Sequence, residues 1–143
     1  MRLYRILSLL AIIISLLASA CAGAAPQSGS SETIQGIEWQ LESLNGNPPM
    51  EGSTVTLIFE EETAGGSGGC NSYGGSYTLG SDNTISFSEL FQTEMACLEQ
   101  GIMDQEAVYM QTLASAATYQ ATADNLEILD ASGTTVLSFV RQP

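Results

Sequence analysis

The sequence predicts a mainly β domain bordering on α+β: an antiparallel sheet curling toward a barrel, with one helix inserted. Three observations carry that expectation. Short segments alternate apolar and polar residues with a period of two along most of the chain. Turn-forming residues interrupt them at short intervals, as in meanders and small barrels. One stretch, 102–117, instead has its apolar residues at helical spacing. At 143 residues the chain is long enough for one domain.

The amino terminus stands apart from that pattern. Arg2 and Arg5 precede an apolar run from Ile6 to Leu17, and Ala18-Ser19-Ala20 lead directly into Cys21. This is the layout of a secretory signal over residues 1–20, too short and wrongly flanked for a spanning helix. A cysteine right after the small residues resembles the lipobox of bacterial lipoproteins. That resemblance implies cleavage before Cys21 and its acylation, giving a membrane-anchored lipoprotein on the extracytoplasmic side of the cell envelope. Ala18 stands where leucine is usual, and ordinary cleavage nearby, leaving a free secreted domain, is the alternative. Two or more acyl chains make a stable anchor. Residues 21–32 then form the lipid-bearing cysteine and an Ala/Gly/Ser-rich tether, and residues 33–143 the folded domain.

Charge narrows the partners. Beyond residue 20 the chain keeps Arg141 as its one basic residue, has no lysine, and carries sixteen Asp and Glu, a formal charge of −15. So acidic a surface repels phosphate backbones, which excludes nucleic acid as a partner. With Cys21 acylated, Cys70 and Cys97 are left in an oxidising compartment and are expected to pair. The bridge would stabilise the fold by about 3.5 kcal/mol on the chain-entropy account. Zinc is a poor rival, since two sulfurs without a histidine make an incomplete site.

Taken in order, Ile37, Trp39 and Leu41 alternate with Glu38, Gln40 and Glu42 as a half-buried strand, with Trp39 a core anchor. Asn45-Gly46 and Pro48-Pro49 end it. Thr54–Glu60 reads as a second strand facing inward through Val55, Leu57 and Phe59. The run Glu60-Glu61-Glu62 lacks the alternating pattern of a calcium loop and reads as a solvated turn. Gly65–Tyr77 holds six glycines around Cys70-Asn71 and two tyrosines; it reads as two short strands with close backbone packing. Ile85 and Phe87 make another strand. Phe91, Thr93, Met95 and Cys97 share a parity that would turn Cys97 inward toward Cys70.

In the helical stretch Ile102, Met103, Met110, Leu113, Ala114 and Ala117 share an apolar arc, and Glu106 falls inside it. A buried carboxylate needs hydrogen-bond partners. Two structural accounts are open, placement near the positive end of the helix and backbone N–H bonds from the glycine-rich strands; a binding or catalytic role is the rival to both. The tail is a meander of strands 118–123, 126–129 and 135–140, turning at Asp124-Asn125 and Asp130–Gly133.

The order Trp39-x-Leu41, Phe59, Gly69-Cys70-Asn71-x-Tyr73, Tyr77, Thr93-x-Met95-Ala96-Cys97, Glu106 and Leu113 resembles the META domain, found in HslJ-like heat-shock lipoproteins of bacteria. The likeness covers about residues 34–141. It implies a small, partly open antiparallel β-barrel with one α-helix packed on it. It also implies an envelope protein tied to heat shock and antibiotic tolerance, with no established enzymatic activity.

The residues themselves argue against an enzyme. There is no histidine to act as a base near neutral pH, and no lysine beyond the leader or within it. The glycine-rich stretch has neither the Gly-Lys-Ser/Thr ending of a phosphate loop nor a dinucleotide register. No cofactor and no metal site is expected. The reading is a non-enzymatic, lipid-anchored envelope module working through an envelope protein partner. The alternative is a small-ligand or cation binder using the barrel mouth, with Tyr73 or Tyr77 lining it. Asn71, Tyr73, Tyr77 and Glu106 are the candidate binding or structural residues.

Overall fold

The computed structural model describes residues 34–143; the signal, Cys21 and the tether lie outside them. Eight strands form one antiparallel sheet: β1 Glu38–Leu44, β2 Thr56–Phe59, β3 Thr63–Ser67, β4 Ser72–Leu79, β5 Ile85–Gln92, β6 Thr118–Ala121, β7 Asn125–Leu129 and β8 Thr135–Arg141. The helix α1, Gln100–Ala114, links β5 to β6. The spatial order is β5-β4-β3-β2-β1-β8-β7-β6. The sheet curls until its two edges approach, and they meet in one bridge, Thr84 with Thr118. The result is a curled half-barrel, its β5 side carrying α1.

Period-two alternation builds this core. Along β1, Trp39, Leu41 and Leu44 are buried while Glu38 and Glu42 face solvent. Trp39 is fully enclosed, and its indole N–H donates to the Ile34 carbonyl at 3.1 Å. Val55, Leu57 and Phe59 join it from the next strand, and Leu126, Ile128, Leu137 and Phe139 from the carboxyl-terminal meander. Each such side chain contributes roughly 1.5–3 kcal/mol by burial.

Three sequence expectations are corrected. The helix spans 100–114 rather than 102–117: Ala114 is exposed, and Ala117 has left the helix to bond Ile85 and Leu129 through its backbone. Sheet pairing at β6 therefore ends the helix one turn early. The parity of Phe91, Thr93, Met95 and Cys97 does not hold either. β5 ends at Gln92, Phe91 is 66% and Met95 57% exposed, and residues 93–99 leave the sheet as a loop. The second strand starts at Thr56, although the Val55 carbonyl still accepts from Leu41 N–H.

Tyr109 is the core residue that the apolar arc did not single out. It is fully buried, and its hydroxyl lies 2.6 Å from that of Tyr73, which donates to the Thr56 carbonyl at 2.9 Å. The rings meet edge to face at 5.4 Å. Burial pushes both phenols well above the ordinary tyrosine range. A phenol that ionises later in the folded state than in the unfolded one lends stability present below about pH 10 and lost as pH rises past it. Urea unfolding at about pH 8 and about pH 11 should therefore show Tyr109→Phe losing roughly 1 kcal/mol less than the wild type over that interval. Equal losses would remove the buried phenol as a source of the alkaline instability.

Candidate functional site

The sharp turn between β3 and β4 meets the second turn of α1. Gly68 N–H donates to the Asn71 carbonyl at 2.7 Å, and Gly69 sits at φ +112, a backbone region that side chains avoid. This shape aims two successive N–H groups outward from the turn. Both reach the Glu106 Oε2: Asn71 N at 2.6 Å and Cys70 N at 3.1 Å. The Asn71 side-chain amide donates to the other oxygen, Oε1, at 2.7 Å. Glu106 is buried, and its carboxyl group thus receives three N–H donors. Gly68 is required by the closeness of this contact, since a Cβ there would lie 2.6 Å from Oε2.

Asn71 carries the contact onward. Its Oδ1 accepts from Met95 N and from the Thr93 hydroxyl, each at 2.7 Å. One buried asparagine therefore joins the β3–β4 turn, the helix and the 93–99 loop. Cys70 and Cys97 form the expected disulfide across the same junction, 27 residues apart in sequence with Cα atoms 6.0 Å apart. Among the described residues every buried side-chain nitrogen and oxygen has a hydrogen-bond partner.

Glu106 is the seventh residue of α1, past the first turn where the dipole is felt. The helix-start account of this residue is thus set aside, and the backbone N–H bonds are what surround it. Tyr73 and Tyr77 do not line an open mouth. Both are buried; Tyr77 packs edge to face on Phe59 at 5.0 Å, donates to the Glu60 carbonyl and accepts from the Gln35 amide, each at 2.7 Å. Thr93 and Gly68 belong to the site as well. Gly68 was visible in the sequence as one of a cluster but had no individual role there. Among the described residues no group of three or more Cys, Asp or Glu could hold a metal ion.

Chemically the cluster is saturated. Its acceptors face N–H and hydroxyl donors of the protein, and the arrangement fixes three chain segments to one another. It defines a small, disulfide-closed half-barrel clipped by a buried carboxyl group. The chain belongs to the META domain family, whose sequence profile matches residues 32–143. No curated protein matches it. Among solved structures it is similar to an NMR structure of a protein from Burkholderia xenovorans, at 25% identity and a TM-score of 0.65, covering 87% of this chain and 96% of that one. A second NMR structure has 23% identity and a TM-score of 0.61 over 80% of this chain and 94% of the other. A crystal structure of a DUF4847 family protein from Bacteroides vulgatus shares the fold, at 16% identity and a TM-score of 0.54, over 80% of this chain and all of that one.

Replacing Glu106 by glutamine keeps the shape but turns an amide NH2 toward N–H donors. One or two hydrogen bonds are lost and a buried donor is left facing another. A loss of about 1–3 kcal/mol is expected, with a fall in Tm of about 5–10 °C for a domain of this size. Thermal unfolding followed by circular dichroism reads it. Unchanged Tm in a correctly folded variant would remove the structural role. For the disulfide, Cys70→Ser with Cys97→Ser should cost about 3.5 kcal/mol, and two free thiols in the denatured, unreduced wild type would contradict the bridge.

Proposed function

We propose that this chain is a non-enzymatic, lipid-anchored module of the bacterial cell envelope that works through contacts with another envelope protein, in the setting of heat shock, envelope stress or antibiotic tolerance. The amino-terminal signal with its lipobox-like Cys21 supports the anchor and the extracytoplasmic location. The META family and the resemblance to HslJ-like lipoproteins support the setting.

The observation that carries the reading is what the clip leaves facing solvent. Glu106 and Asn71 spend their hydrogen bonds on the protein itself, so the cluster offers no polar group poised for chemistry. It holds the 93–99 loop in place, and that loop presents Met95 and Leu98, 57% and 103% exposed. Rigidly held apolar side chains are the usual core of a protein contact, because little entropy is lost on binding.

In-cell crosslinking of the full lipidated chain tests this. The reading predicts one recurrent envelope protein, absent when residues 1–33 carry an unrelated domain, and lost when Met95 and Leu98 are both changed to aspartate. Recovery unaffected by those changes, or no protein beyond the anchor control, would overturn it.

A further inference from the structure

A concavity on the outer face of the sheet takes no part in the clip. Register across four strands aligns Ile58 with Gly65, Gly65 with Gly74, and Gly74 with Phe91. These positions share one face, opposite to that of Phe59, Ala64 and Tyr73. The two central glycines leave a floor of bare backbone. Ile58 and Phe91 wall it from strands about 14 Å apart at ordinary strand spacing. The trough holds about 480 Å³, spans strands β2 to β5 and is open to solvent. The Phe91 ring leans on the floor, so that a Cβ on Gly74 would lie 2.9 Å from its Cζ, yet two thirds of the side chain is exposed.

Glu60 and Glu89 are the charged residues of the lining, which contains no basic residue. Glu89 is there for a structural reason. β5 has one residue more than β4 between the pairs Gly74–Phe91 and Ser76–Ser88, and this bulge re-aims a side chain. Glu89 occupies it at φ +52, where non-glycine residues are sterically disfavoured. Its Oε2 accepts from the Ser76 hydroxyl at 3.2 Å on the trough side. Glycine would sit in this bulge without strain, and a carboxylate stands in its place.

We propose that the trough is a docking groove for an extended basic segment of a partner protein. An apolar side chain seats between Ile58 and Phe91, and lysine or arginine side chains lie against Glu60, Glu89 and the Phe91 ring. Charge selects this occupant. The chain's own tether, residues 21–32, carries Glu32 and no cation, and beyond residue 20 a second copy brings only Arg141 among sixteen Asp and Glu. The inference rests on the contact-module reading and adds the partner's chemistry.

The test uses a capped, fluorescein-labelled peptide of alternating lysine and leucine, with a glutamate–leucine peptide as control, titrated with the folded domain and read by anisotropy. The basic peptide should bind and the acidic one should not. Phe91→Ser and the pair Glu60→Gln with Glu89→Gln should each weaken binding by roughly fivefold to tenfold. Glu51→Gln, which removes one carboxylate on a loop outside the trough as Glu89→Gln alone removes one within it, should leave it within about twofold. Glu89→Gly should raise Tm by relieving the bulge while weakening the peptide to the same degree. Equal effects at Glu51 and Glu89, or no binding by the wild type, would overturn the proposal. In cells, a partner still captured by the trough variants but lost with Met95 and Leu98 would refute the trough alone. No partner for the wild type would refute the contact-module reading instead.

Discussion

A carboxyl group in the second turn of the helix, held by two backbone N–H groups of a glycine turn, is the contact on which the rest of this structure depends. Among the described residues the helix is the one α-helix packed on the sheet, and its ends are tied by short loops. Glu106 gives it a fixed position against the β3–β4 turn. The cost of burying that group is offset only if all its partners are in place. The neighbouring sequence follows from this need: no side chain at Gly68, left-handed backbone at Gly69, and an asparagine at 71 with a donor for Glu106 and an acceptor for the next loop. The disulfide closes the same junction covalently.

Much of the fold was legible because the sheet reads through a simple code. Alternation put Trp39, Leu57 and Phe59 inside, and the turns at 124–125 and 130–133 separated the strands. The glycine-rich stretch was legible as two strands about a cysteine, and Glu106 as a carboxylate misplaced on an apolar face. Residues 91–97 failed because period two was the wrong test there. Their positions are set by Asn71 and by the disulfide, two long-range ties that leave no local pattern. Tyr109 was missed because a tyrosine counts poorly as apolar, although it lies three residues after Glu106 and seven after Ile102, on the same face. The trough could not be read from the sequence, since it depends on cross-strand register.

The same ties shape what the molecule offers to others. Phe91 lies next to the end of β5 on the outer face, and Met95 and Leu98 follow on the loop that Asn71 secures. Three exposed apolar side chains thus lie within eight residues, on a surface otherwise rich in carboxylates. Such a surface keeps the domain soluble and repels other copies of itself, while favouring a partner of opposite charge. The strained Glu89 belongs to this outer surface and not to the core, so its cost is not explained by packing.

The central claim is that Glu106 and Asn71 act as one structural unit, and a double-mutant cycle measures this most directly. Glu106→Ala, Asn71→Ala and the double variant would be unfolded in urea under identical conditions. The account predicts that the second substitution costs far less once the first is made, with a coupling energy of about 1–3 kcal/mol. Additive losses, agreeing within about 0.5 kcal/mol, would contradict it and leave Glu106 a buried carboxyl group in need of another role.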